Sequence, residues 1–149
     1  MTIALSGSEI EAKLKEQFAE GIVEVSQDSL VVKGEFLLAI ASFLKTTPGL
    51  DFDYLSCITA VDYHDYFELV YHLVSLKHNH SLVLKTRCYQ KNEPLVPSIV
   101  SLWRGANFQE REIYDLMGIR FDGHPNMKRI FLWDGFEGHP LRKDYTDGN

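Results

Sequence analysis

Cysteine is scarce in this chain: there are two among 149 residues, Cys57 and Cys88, 31 positions apart. They form no CxxC pair, so neither a disulfide scaffold nor an oxidising compartment is implied, and both read as buried free thiols. An excess of basic charge is also missing. Lys plus Arg is 15 against 21 Asp plus Glu, a formal charge of −6, which is the wrong sign for a chain that neutralises a phosphate backbone. Nucleic acid is therefore not an expected partner. The longest apolar runs, such as Phe36 to Ala41, fall far short of the ~20 residues of a membrane helix. Met1 to Gly7 lacks the basic region and apolar stretch of a signal peptide. These absences suggest a soluble protein of the cytoplasm or an equivalent compartment. Nucleotide-binding loops of the form G-x-G-x-x-G or G-x-x-x-x-G-K-[ST] are not present either.

The composition that remains is that of an ordinary globular domain, 45% hydrophobic and 24% charged. Ser8 to Glu11 has the S-x-x-E form of a capping box, and Ile10, Leu14 and Phe18 follow on one helical face, predicting a first helix that ends near Gly21. Ile22 to Val25 and Leu30 to Val32 are β-branched runs around the turn formers Ser26 to Ser29, the pattern of a hairpin. Phe36 to Leu44 recurs with helical period until Pro48-Gly49 stops it. Three strands are predicted next, Tyr54 to Val61, Phe67 to Leu76 and Leu82 to Tyr89. Polar turns at 62–65 and 77–81 separate them, and Phe67, Leu69, Tyr71 and Leu73 share one face.

Helix-strand-strand-helix-strand-strand-strand is the order of a two-layer α+β domain with a mixed, largely antiparallel sheet. Pro94 to Trp103 reads as a short helix, and Gly105-Ala106-Asn107 opens another that runs to Met117 before Gly118 ends it. Beyond this helix, Ile119 to Tyr145 carries too many Gly and Pro residues for regular structure. Its apolar groups, including Trp133, ask for a partner surface. Residues 1–104 are expected to form the α+β domain, and residues 105–149 the helix and extended docking arm of the same domain.

At ~100° per residue, Ile113 marks the buried stripe of the last helix, Glu110 flanks it beside Met117, Glu112 lies on the other flank, and Arg111 and Asp115 project away. A carboxylate at an apolar edge needs a cation or several N–H donors. Arg129, Arg142 and Lys143 of the arm are the candidate partners of Glu110, and Arg111 is expected to reach outward or to Asp115, its i+4 neighbour.

From Glu110-Arg111-Glu112-Ile113-Tyr114-Asp115 through Gly118, Gly123-His124-Pro125, Arg129-Ile130 and Gly138-His139-Pro140 to Arg142-Lys143-Asp144-Tyr145, the chain resembles the 30 kDa subunit family of respiratory complex I, the bacterial proton-pumping NADH:quinone oxidoreductase. The resemblance covers roughly the last 45 residues; the earlier part agrees only in its order of elements. It implies a subunit of an enzyme that is inactive by itself and binds no cofactor, with FMN, iron–sulfur clusters and quinone in other subunits. The two distant cysteines agree, since a cluster needs about four thiolates. Further implications are contacts with the 49 kDa subunit and with the subunit that holds the last iron–sulfur cluster, and a peripheral place on the cytoplasmic side of the membrane. Glu110, Arg111, Glu112, Tyr114, Asp115, His124, Arg129, Trp133, His139, Arg142, Lys143 and Asp144 are carried over as interface or structural residues, none as catalytic.

Two other readings stay open. One is an equivalent subunit in a complex I-like hydrogenase or a ferredoxin- or deazaflavin-dependent quinone reductase. The other is a stand-alone metal-dependent hydrolase using some of His64, His72, His78, His80, His124 and His139 with Asp62 or Asp65, although a hairpin loop explains the close pair His78 and His80, and a polar turn explains Asp62, His64 and Asp65, more simply. The Gly-His-Pro triplets at His124 and His139 read as turns aiming one imidazole at a hydrogen-bond partner, with proton handling near a quinone as the sharper alternative.

Overall fold

A computed structural model describes residues 2–146; Met1 and residues 147–149, the end of the expected arm, lie outside the described residues. The order is β1 (Ile3–Ala4), α1 (Gly7–Phe18), a 3-10 turn (Ala19–Gly21), β2 (Ile22–Val25), β3 (Leu30–Val32), α2 (Gly34–Thr46), β4 (Tyr54–Asp62), β5 (Phe67–Ser75), β6 (His80–Cys88), β7 (Leu95–Pro97), α3 (Ala106–Met117) and β8 (Arg120–Asp122). The fold is the expected α+β class, with a six-stranded mixed sheet ordered β2-β3-β6-β5-β4 and β1 lying parallel beside β6. The β2–β3, β4–β5 and β5–β6 pairs are antiparallel, while β3 runs parallel to β6.

One face of the sheet carries α1 and α2. Ile10 and Leu14 of α1, Leu37, Ile40 and Leu44 of α2, and the alternating Phe67, Leu69, Tyr71 and Leu73 of β5 are all fully buried in one core. This is the outcome expected where a period-2 strand meets a period-3.6 helix stripe. The capping box forms two residues earlier than expected. Ser6 Oγ accepts the Glu9 N–H at 3.2 Å and Glu9 Oε2 accepts the Ser6 N–H at 2.9 Å. Ser6 and Ser8 both head an S-x-x-E string, and the extended backbone at Ser6 makes it the cap.

Pro94 to Trp103 is not a helix. Leu95–Pro97 pairs in parallel with Arg120–Asp122 as a separate two-stranded sheet, and turns lead on to Trp103. Pro97 disfavours helical backbone at Val96, so the segment stays extended. The Trp103 indole N–H then donates to the Phe52 carbonyl at 3.1 Å, tying this loop to the core.

The strand ends also depart from the expected turns. His80 is the first residue of β6, paired with Ser75, and the turn tightens at Asn79, φ 54°. Asp62 is buried as the last residue of β4. Cys88 is buried, but Cys57 is only half-buried beside a β4 bulge; both are free. Near this bulge the Ile58 N–H donates out of the sheet, to Gln109 Oε1 of α3 at 2.6 Å. Helix α3 thus covers the β4 edge of the sheet.

Candidate subunit-docking site

Helix α3 is stopped by Gly118, whose φ of +78° satisfies the left-handed cap and whose N–H donates to the Tyr114 carbonyl at 2.8 Å. A Cβ on Gly118 would sit 2.7 Å from the His139 ring, so the returning arm passes against the helix end. His139 Nδ1 lies 2.9 Å from the Asp115 carbonyl and donates to it, and the Leu141 N–H donates to the Leu116 carbonyl at 2.8 Å.

Asp115 is the anchor of the arm. The helical wheel places it on the solvent side of α3, but the arm returns over that side and buries it completely. Its Oδ2 accepts the N–H groups of Ile130, Phe131 and Leu132 at 3.2, 2.7 and 3.0 Å, and its Oδ1 accepts from Arg129 Nη1 at 3.0 Å. Desolvation opposes ionisation here. The three N–H donors and the Arg129 charge outweigh it and hold the carboxyl below its ordinary range. Arg129 also reaches the Gly138 carbonyl at 2.8 Å, joining two turns of the arm.

Glu110 differs from expectation in its partner. It is fully buried, yet no arginine or lysine of the arm reaches it; Ser98 Oγ–H donates to it at 2.6 Å and the Ile99 N–H at 2.9 Å. The irregular loop after β7 closes over that flank of α3 before the arm arrives. Burial pushes its carboxyl up to about 7, against the two hydrogen bonds that favour the ionised form. Tyr71, also fully buried, is raised by desolvation and by the charge of Glu110.

Arg111 neither points outward nor pairs with Asp115. Its guanidinium donates to the Lys128 and Arg129 carbonyls at 3.0 and 3.1 Å and lies over the Phe108 ring. Tyr114 packs against His139 and under Arg120. His124 Nε2–H donates to the Asn107 carbonyl at 3.0 Å while its Nδ1 accepts the Asn126 N–H at 2.9 Å, so both nitrogens are occupied. Glu112 is exposed.

A second clamp lies farther along the arm. Asp62 receives Lys91 Nζ on one oxygen and the Lys143 N–H at 2.9 Å on the other. Desolvation resists ionisation of Asp62, but these donors hold its carboxyl low. Arg142 forks onto Asp144, 2.8 Å at each contact, and reaches the Lys91 carbonyl at 3.0 Å. Asp62, Lys91 and Ser98 are the functional neighbours that sequence spacing does not single out as a set. They lie 12 to 81 positions from these partners, and no local pattern marks them.

The arm is therefore docked on its own domain rather than loose, while much of its apolar surface remains outside. Phe131 is 64% exposed, Trp133 69% and Leu141 60%. Trp133 and Phe136 meet edge-on, and Arg129 lies over Phe136. Among the described residues no group of three or more His, Cys, Asp or Glu is placed to hold a metal ion, and no helix is long and apolar enough to cross a membrane.

These features define a two-layer α+β domain with a carboxylate-anchored C-terminal arm. A family model described as "Respiratory-chain NADH dehydrogenase, 30 Kd subunit" matches residues 30–148. The chain is 45% identical over 120 residues to a C subunit of NADH-quinone oxidoreductase from Rhizobium meliloti, covering 78% of this chain and 65% of that protein. It is 38% identical over 153 residues to the C subunit of NADH-quinone oxidoreductase from Roseiflexus castenholzii, covering 98% and 87%. Among solved structures, a chain of an archaeal respiratory membrane complex, the membrane-bound sulfane sulfur reductase, superposes with a TM-score of 0.75 at 25% identity, covering 95% of this chain and 86% of that one. The chain belongs to the 30 kDa subunit family of the respiratory-chain NADH dehydrogenase, complex I.

Proposed function

We propose that this chain is a structural subunit of the hydrophilic arm of a proton-translocating NADH:quinone oxidoreductase. It supports electron transfer from NADH to quinone by assembling the subunits of the quinone module. It carries no cofactor, has no NADH oxidation activity alone, and is peripheral to the membrane on its cytoplasmic side. Its neighbours are the 49 kDa subunit and the subunit with the last iron–sulfur cluster.

The observation that carries this reading is the pairing of a rigid anchor with an uncovered tip. Asp115 and Arg129 fix the base of the arm, and Phe131 and Trp133 stand exposed just beyond it. Aromatic side chains are enriched at the cores of interfaces, and holding them in place beforehand lowers the ordering cost of association. The names of the relatives favour NADH as donor. The likeness to the sulfane sulfur reductase chain sustains a second reading, the same subunit in a complex I-like machine fed by another donor. Purifying the tagged chain from a mild detergent extract and identifying the accompanying subunits by mass spectrometry tests both. The proposal expects an NADH-binding flavoprotein among them. A complex lacking it favours the second reading, and the absence of any respiratory subunit would defeat both.

A further inference from the structure

We propose that the groove between α3 and β4 is a second docking point, taking from a partner subunit a segment in which one large apolar side chain lies within a helical turn of a lysine or arginine. This rests on the assembly reading above and extends it to a surface away from the aromatic tip. Ile58 and Ala60 of β4 form one wall, Leu116 and Met117 of α3 another, and Leu141 of the arm closes the side around a cavity of about 220 Å³. That volume suits one leucine- or phenylalanine-sized side chain. Leu141 is fixed there by its N–H bond to the Leu116 carbonyl, so the wall is preformed.

Glu112 stands at the rim of this groove. The other charged residues of its helix turn are spent inside the molecule: Glu110 on Ser98 and Ile99, Arg111 on two carbonyls, Asp115 on Arg129 and three N–H groups. Among the described residues the Glu112 carboxylate has no hydrogen-bond or ion-pair partner. A carboxylate beside an apolar slot is complemented by a cation carried next to an apolar side chain. Filling the slot excludes water from the pair and strengthens it relative to an exposed one. The net charge of −6 further favours approach of a basic segment.

The test uses the tagged full chain made in cells together with its complex. Glu112→Lys should lower the recovery of other subunits at least tenfold and Glu112→Gln several-fold, while the melting temperature of the isolated chain stays unchanged. Ala60→Lys, at a half-buried position whose side chain shares the opposite wall with Ile58, should act like Glu112→Lys and decides the matter if that variant folds poorly. Wild-type recovery with both lysine variants would overturn the proposal. In a second arm, Leu141 is replaced by photoreactive p-benzoylphenylalanine within the purified complex. The crosslink should fall on an apolar residue of another subunit with Lys or Arg within four positions. A crosslink to a second copy of this chain, to an acidic segment, or to nothing overturns the proposal. If the unaltered chain retrieves no partner subunit, the assembly reading fails as well; if it does and the lysine variants match it, only the groove proposal fails.

Discussion

Replacing Asp115 by alanine should release the C-terminal arm from the domain. The fully buried carboxylate satisfies three backbone N–H groups and the guanidinium of Arg129, whose side chain is only 10% exposed. Removing one side of a buried ion pair costs about 3–5 kcal/mol, and each stranded buried donor about 1–3 kcal/mol. These costs do not simply add, because the arm has a way out. Once its docking energy is exceeded, the segment beyond Met127 can leave the surface, and water then solvates the N–H groups and the guanidinium. The loss is therefore capped near the pair's own value, about 3–5 kcal/mol, or roughly 6–20 °C in Tm at about 2–4 °C per kcal/mol for a domain of this size. Asp115→Asn keeps an oxygen acceptor and should lose about 1–3 kcal/mol. Hydrogen exchange by mass spectrometry locates the effect: amides of Ile130 to Leu132 should lose protection in Asp115→Ala, while those of β5 keep theirs. Unchanged protection there, with Tm within about 1 °C of wild type, would refute the reasoning.

Glu110 should make stability fall as pH rises. Its folded-state value of about 7 lies above the ordinary glutamate value, so the folded chain holds the proton more tightly between roughly pH 4.5 and 7, and stability present at the acid end is lost across that window. The loss is a few kcal/mol at most, at about 1.4 kcal/mol per unit. Glu110→Gln should flatten the Tm profile from about pH 5 to 8, and an unchanged slope would count against the buried, raised carboxyl. Gly118→Ala, at φ +78° with His139 2.7 Å from the new Cβ, should cost about 1–3 kcal/mol, measured by denaturant titration. The purified chain should show no visible absorption bands and no NADH oxidation; bands in the isolated subunit would contradict a cofactor-free role.

Hydrophobic periodicity makes all three helices and five of the six strands of the main sheet legible; the two-residue β1 is too short to show a period. The alternation in β5 and the i, i+4 spacing in α1 are local signals, and the burial of Leu69 or Leu14 follows directly from them. The segment after Asn92 is misread where two short strands pair across more than 20 positions, Leu95 with Arg120, because a three-residue strand has too little periodicity to announce itself. The site is half legible. The motif marks Glu110 and Asp115 as residues with something to hold, and the wheel places Glu110 on a buried flank. It misassigns the partners because a helical wheel knows only its own helix. Asp115 faces solvent on that wheel until a returning arm covers it, and the arginine expected at Glu110 belongs to Asp115 instead. Asp62 and Lys91 meet the arm through tertiary proximity alone.

Assembly measured with Trp133→Ala tests the central claim most directly, namely that the anchored arm presents its aromatic tip to partner subunits. Trp133 is 69% exposed, so its loss should alter the isolated chain by no more than about 1 kcal/mol, whereas a buried tryptophan at an interface commonly carries about 2 kcal/mol or more, about 30-fold in affinity. The expected result is a Tm shift of no more than about 2–4 °C for the isolated chain with roughly 30-fold weaker association with its complex. Recovery of the complex at wild-type strength with Trp133→Ala would contradict the claim.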